Sequence, residues 1–359
     1  MKFLFNLIII FIIYLSTPVH SGNLPANIDF KIYGFINASL LYTDKNPAYI
    51  TQYKANPDFK TGDLNFNAHT SRFGINIFAP IENDIKVQGR FEIDFAGEEN
   101  AVSNARIQIK QAYGKADYKD WNFIFGQTEM IISQTEPAML NAGALIYGGN
   151  LFVRLPQFRI TKKINSYIIE AGILRQSTDV RYGIPKSQER QLRYQCRISK
   201  ELDFLVFNKA QFALGADYYN YSGDTDACSA FNFEFVLPYK KSFKIIGELF
   251  SARNAGDLGG SIYSESKMSA VEGYGGYIQL TKYFSEKFYC NAGYGLARNK
   301  PSTITDLEYK KNEPKFINFG YNVTSRLLLC AELFDFKSTL KNNTTYTANR
   351  YQFSTLFFF

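Results

Sequence analysis

The 359-residue chain is 46% hydrophobic and 20% charged, too apolar for disorder and long enough for one large domain or two ordinary ones. Its 40 basic and 33 acidic residues leave a net charge of +7 with no basic block, which argues against nucleic acid as a partner. Two histidines and 4 cysteines leave little material for catalysis or metal binding.

At the N-terminus Lys2 precedes the apolar run Phe3 to Tyr14, and the small residues around Val19 and Ser21 offer a cleavage site before Gly22. This is the pattern of a removable export signal over residues 1–21; a run of about twelve apolar residues is short for a transmembrane helix, which needs roughly 20. The mature chain, 22–359, is expected to form one domain. Phe30 to Tyr42 opens it with alternation, Lys31, Tyr33, Asn37 and Ser39 opposing Ile32, Ile36 and Leu40. Ile85 to Phe95 is clearer still. There Val87, Phe91 and Ile93 share a dry face while Lys86, Gln88, Arg90, Glu92 and Asp94 share a wet one, the signature of a strand between two media.

A long link follows from Met130 to Phe152, about 23 residues with Pro137 and the Gly143 to Gly149 stretch. Its Ile131, Ile132, Met139, Leu140, Leu145 and Ile146 are too apolar for a freely solvated loop, so the segment is expected to pack inside the fold. Alternation resumes at Gln191 to Ser199, Lys209 to Tyr219 and Ile317 to Val323. The chain ends with Tyr351, Phe353, Thr355, Phe357 and Phe359 opposite Arg350, Gln352 and Ser354. Aromatic residues near the strand ends (Tyr42, Tyr113, Tyr118, Trp121, Tyr218, Tyr239, Tyr283 and Tyr294) suit the girdles of a membrane barrel.

The links alternate in length as the faces alternate in polarity. Short ones are expected at 79–84, 117–120, 162–166, 200–203, 238–242, 283–287 and 324–326, and long ones at 44–65, 97–104, 130–152, 176–188, 221–227, 254–270, 298–312 and 338–345. Seven short and eight long links join sixteen strands. The expected fold is therefore all-β: a sixteen-stranded antiparallel transmembrane barrel with short periplasmic turns and long external loops. Closure follows because hydrocarbon cannot hydrogen-bond an exposed strand edge.

With that pattern in place, the sequence resembles Gram-negative porins, especially the DcaP-like trimeric porin family. The resemblance is carried by Ile32-Tyr-Gly-Phe-Ile-Asn37, Ser71-Arg-Phe-Gly74, Phe125-Gly-Gln-Thr128, Arg154-Leu-Pro-Gln-Phe-Arg159 and the terminal Phe359, and covers nearly the whole mature chain. It implies a homotrimer in the outer membrane, a terminal Phe359 read by barrel-assembly machinery, and a third external loop folded inward as a constriction. Glu129, Glu136, Pro137, Gly143, Gly148 and Gly149 are the candidates in and beside that loop.

Wet-face cations are expected at Lys31, Arg72, Lys86, Arg90, Arg106, Lys110, Arg159, Arg193, Arg197, Lys209, Arg326 and Arg350, against anions at Glu92, Asp94, Glu170, Asp217, Glu234, Glu248 and Glu332. Each charge could simply pair across the wall, but the excess of cations points to a mild preference for anions. Arg90, Arg106, Arg154 and Arg159 bracket the inward loop and are the leading selectivity candidates, with Arg72, Lys86, Lys110, Arg193, Arg197 and Arg350 beside them.

The expected function is passive diffusion of small hydrophilic solutes, with a substrate-specific carboxylate or phosphate channel and a non-conducting adhesion or scaffold barrel as alternatives. No enzyme is expected: His69 is the only histidine of the mature chain, and its neighbour Ser71 has no third group to complete a hydrolase. No cofactor or metal is expected either, an all-carboxylate site at Glu92, Asp94, Glu98 and Glu99 being weakly patterned. Cys196, Cys228, Cys290 and Cys330 sit in separate strands and read as free thiols.

Overall fold

In a computed structural model, residues 28–45, 62–97, 106–140, 145–175, 192–220, 227–262 and 271–359 are described. The export signal and Gly143 lie outside them, as do Glu98 and Glu99. The strands are β1 (Asp29–Thr43), β2 (Asp63–Asn67), β3 (Arg72–Phe78), β4 (Ile85–Asp94), β5 (Gln108–Tyr118), β6 (Trp121–Glu129), β7 (Arg154–Ile164), β8 (Tyr167–Arg175) and β9 (Leu192–Phe204). They continue as β10 (Phe207–Tyr219), β11 (Cys228–Tyr239), β12 (Phe243–Arg253), β13 (Glu272–Tyr283), β14 (Phe288–Asn299), β15 (Tyr309–Asn322), β16 (Leu327–Leu340) and β17 (Thr345–Phe358). Each pairs antiparallel with its neighbours, and β1 returns to β17 from Phe35↔Phe358 to Thr43↔Arg350. The sheet thus closes on itself.

Among the described residues, seventeen strands make sixteen crossings, because β2 and β3 lie end to end along β1. The expected second strand is broken between Asn67 and Arg72. The register runs Phe35↔Arg72 below the break and Ser39↔Asn67 above it, so this crossing carries one extra residue. Because side chains alternate with period two, that residue swaps the faces: Arg72, Gly74 and Asn76 point inward in β3, whereas Asn65 and Asn67 do so in β2, leaving Leu64 and Phe66 exposed outside. Side chains hold the break. The Asn37 backbone donates to Ser71 Oγ at 3.0 Å and its amide to Thr70 Oγ1 at 2.6 Å.

Alternation elsewhere follows expectation. Ile32, Ile36, Leu40, Val87, Phe91, Leu214, Tyr351 and Phe353 are exposed on the outer face, while Asn37, Ser39, Glu92, Asp94, Gln195, Asp217, Asn318 and Gln352 are buried within. Tyr42, Tyr118, Trp121, Tyr218, Tyr283 and Tyr294 are outward and exposed as girdle residues should be. Tyr113 is not among them. Its register opposite Arg90 puts it on the inner face.

The short links form tight turns, with one displaced: the expected 200–203 connection lies at Leu205 and Val206, because the paired residues of β9 and β10 continue to Phe204↔Phe207. Two long links are shorter than expected, 300–308 and 341–344, their flanks being drawn into β14, β15, β16 and β17. The described residues contain no α-helix, only three-residue 3-10 turns at Gly256–Leu258 and Pro301–Thr303. All four cysteines are free.

Candidate pore constriction

After Glu129 the chain turns into the barrel, where the described residues 130–140 and 145–153 lie. Met130, Ile131, Ile132, Leu145 and Leu151 are fully buried, as the composition of this link required. Irregular backbone inside a barrel must find partners for every N–H and C=O, and here the opposite wall provides them. Gln195 accepts from Ile131 N at 2.8 Å, Glu234 from Gln134 N at 2.8 Å and Thr135 N at 2.6 Å, and Gln279 from Ala138 N at 2.7 Å. Farther round, Glu332 accepts from Leu140 N at 2.8 Å and Glu248 from Leu151 N at 3.2 Å. Tyr277, Asn312 and Asn318 donate to the carbonyls of Thr135, Tyr147 and Ala138.

Two apolar patches fill the space between loop and wall. Met130, Ile131, Ile132 and Leu151 pack on Leu155, Leu174, Ala230 and Phe250; Leu145 packs on Ile246, Tyr277, Phe316, Phe334 and Phe336. Gly149 has φ 122°, and a side chain there would strike the Gly276 carbonyl. Gly148 lies against Pro314. Pro137 is buried, while Glu136 is exposed.

A second segment, 254–262, also enters the barrel, although the link 254–270 is expected to be an external loop. Ala255, Leu258 and Ile262 are buried, and Phe152 N donates to Leu258 O at 2.9 Å, so this segment roofs the end of the first loop. Asp257 anchors it by a two-point bond to Arg193, 2.6 and 3.0 Å. Asn299 clamps the Ile262 backbone at 2.9 Å on both sides. The signal was present in Ala255-Gly-Asp-Leu-Gly-Gly-Ser261, a stretch with one charge and apolar or small residues around it.

The inner charges divide into two sets. Arg193 is fully buried between Asp217 and Asp257; Arg159 bonds Gln157, Glu170 and the Glu129 carbonyl; Arg197 bridges Glu170 and Glu234; Arg350 lies against Glu332 and over the Phe334 ring. These four were expected to line the pore. They are little exposed: Arg193 and Arg159 bond inward segments at Asp257 and the Glu129 carbonyl, while Arg197 and Arg350 pair with Glu234 and Glu332, the wall carboxylates that hold the first loop's backbone.

The other set faces the loop from β1 and β3–β7. Arg90 and Arg72 keep 32% and 28% of their side chains exposed although both reach Glu92, at 2.8 and 3.2 Å, whose own exposure is 1%. Tyr33 completes the group, donating to Glu92 at 2.8 Å and accepting from Arg90 Nε at 2.6 Å. Lys110 pairs with Asp94 at 2.8 Å and Arg154 with Glu129 at 3.2 Å. Glu136 on the loop lies within electrostatic reach of Arg154, Glu129, Arg72 and Lys110. Lys86 and Arg106 are exposed near opposite ends of the wall, Lys86 in register with Asp117 beside a short turn and Arg106 before β5 on the loop side. An inward loop carrying a carboxylate therefore faces a wall of partly solvated guanidinium groups.

Chains of known structure share this arrangement of strands. The outer membrane channel DcaP of Acinetobacter baumannii superposes with a TM-score of 0.77 at 19% identity, over 94% of this chain and 99% of that one. The fold is that of the porins. An anion-selective porin from Comamonas acidovorans aligns with a TM-score of 0.64 at 10% identity, over 93% of this chain and 100% of its own. OprB of Pseudomonas putida gives 0.61 at 10% identity, over 91% and 94%. No protein-family model and no curated protein sequence matches, so the porin likeness rests on the fold. The resemblance first read from five short motifs is borne out at that level.

Groups of the serine, histidine and carboxylate patterns bond within the barrel. The Ser71 hydroxyl is engaged by the Asn37 backbone, and His69 sits in the break between β2 and β3, accepting Phe95 N at its carbonyl. The Glu92 and Asp94 carboxylates are held by arginine and lysine. Among the described residues no group of three metal-binding side chains assembles.

Proposed function

We propose that the protein is an outer-membrane porin, a trimer of water-filled channels through which small hydrophilic solutes diffuse passively, with a mild preference for anions. The observation that carries the preference is the division of the inner charges. Glu234, Glu248 and Glu332 spend their oxygens on loop backbone and are buried, and Glu92 is covered, whereas Arg72 and Arg90 keep solvated surface. Set against the equally solvated Glu129 and Glu136, the guanidinium groups of Arg72, Arg90 and Arg154 still leave a small basic excess at the constriction. Guanidinium groups stay protonated and guide anionic oxygens through planar donors.

Export by residues 1–21 fits this location, as does a role for Phe359 in assembly. Its backbone exchanges bonds with Gly34 at 3.2 Å in both directions, fastening the last strand to the first, and its ring is exposed to a receptor. Trimer formation is implied by the sequence resemblance and supported by a trimer among structures of Vibrio cholerae OmpT, an outer membrane protein that aligns over 92% of this chain with a TM-score of 0.60 at 12% identity.

Purified protein in a planar bilayer tests the reading. Stepwise ohmic conductance with a reversal potential displaced toward the anion in a salt gradient is the expected result. A bilayer that stays closed points to a scaffold barrel, and a cation-selective current refutes the charge argument.

A further inference from the structure

The two rims of the barrel treat their lysines differently. On the loop side, lysines meet carboxylates: Lys311 pairs with Glu313 at 2.6 Å, Lys300 with Glu272 at 2.7 Å and Lys341 with Asp306 at 3.7 Å. On the short-turn side, Lys115 of the inner face pairs with Asp117 at 3.2 Å, but four lysines at the rim meet aromatic rings. Lys162 lies 4.5 Å from the centre of the Trp121 ring, Lys200 4.6 Å from Tyr167, Lys119 5.1 Å from Tyr118 and Lys240 5.4 Å from Tyr239. Register explains the first two, since Trp121↔Lys162 and Tyr167↔Lys200 are direct cross-strand pairs on the outer face. Among the described residues, Lys119, Lys200 and Lys240 have no carboxylate within 4.0 Å, and Lys162 has only Asp120, at 3.6 Å and itself well exposed.

We infer that this lysine–aromatic belt binds the phosphate groups of anionic glycerophospholipids in the leaflet on the short-turn side. The inference rests on the barrel spanning a membrane and adds which lipid it selects. Its chemistry has three parts. The rings of Tyr118, Trp121 and Tyr167 mark the end of the apolar band, where headgroups begin. A ring face supports each lysine stem and draws the ammonium to a fixed place without using its donors, which remain for phosphate oxygens. The sign is unbalanced locally, with Lys119, Lys162, Lys163, Lys200 and Lys209 on three adjacent hairpins against Asp120, Glu201 and Asp203, so a lipid with net negative charge is favoured over a zwitterion whose own ammonium would be repelled. Lys162 and Lys200 stand two strands apart, about 10 Å at the usual strand spacing. That is too wide for one phosphate, so each lysine–ring pair takes its own.

Trp121 is the only tryptophan of the chain and lies under Lys162, so its fluorescence reports the site. Full-length protein would be reconstituted in phosphatidylcholine vesicles containing equal fractions of brominated phosphatidylglycerol or brominated phosphatidylethanolamine, and quenching compared. Stronger quenching by the anionic lipid is expected, corresponding to a relative association constant of about fivefold for one engaged lysine. The ratio should fall to near one in K119Q/K162Q/K200Q and in high salt, with the gel mobility of folded barrel retained. Equal quenching by both lipids in the parent protein, or a preference that survives the triple substitution, overturns the inference. Absence of quenching by either lipid instead places Trp121 outside the bilayer, and the membrane barrel fails with it.

Discussion

At the scale of single residues, a charge inside this barrel is defined by what covers it. Arg72 and Arg193 both occupy wet-face positions, yet one is partly solvated and the other is locked between two aspartates. Alternation can assign a side chain to the inner face but not to water, because the covering segments arrive from elsewhere in the chain. For that reason Arg159, Arg193, Arg197 and Arg350 looked in sequence like Arg72 and Arg90. Two substitutions around one carboxylate separate the roles. Arg72→Gln should move the reversal potential toward cations, whereas Glu92→Gln should move it further toward anions by freeing Arg72 and Arg90 from their common counter-charge. Arg193→Met should leave it unchanged while lowering thermal stability, since stranding the charge of a buried pair costs roughly 3–5 kcal/mol. Salt-gradient recordings on the three folded variants check all three signs, and a shift in Arg193→Met would show that its wall does conduct.

At the scale of elements, the strands were legible because an apolar outer face and a polar inner face impose period two, and the loops were legible only in part. The apolar Ile131, Ile132, Leu140 and Leu145 announced one inward loop. Ala255 to Ser261 announced another only weakly, since glycine and serine suit a solvated turn as well as a close approach. The break between Asn67 and Arg72 left no periodic trace: one extra residue among Ala68, His69, Thr70 and Ser71 is visible only when β1 supplies the register. Shortening the first inward loop by removing Gln134 to Gly149 should raise single-channel conductance while the barrel still folds, because the wall strands keep their ladders without it. Conductance equal to that of the full chain would place the ion path elsewhere.

For the whole molecule, closure makes the backbone bonds around the circumference a single cooperative set. Unboiled protein should migrate differently from boiled protein on a denaturing gel, with a slow band of trimer size and a β-rich spectrum. A detergent-independent soluble monomer is incompatible with the outward Phe91, Leu214, Phe231 and Phe353. The anion preference should weaken with electrolyte, because charges are screened over about 10 Å at 0.1 M salt and about 3 Å at 1 M. A preference independent of salt would mean that a binding site rather than a field sets it.

The backbone bonds of the first inward loop also bear on the order of folding. Leu140 is held by a side chain 192 residues later and Ala138 by one 141 residues later, so neither bond can exist until the last third of the barrel has formed around the loop. The cost of closing such distant contacts falls late, after the strands that carry Gln279 and Glu332 are in place. Once set, the loop is released only when those strands part. Amide hydrogens of Ala138 and Leu140, in a segment without regular structure, should therefore exchange with solvent deuterium as slowly as strand amides, and on the same opening event.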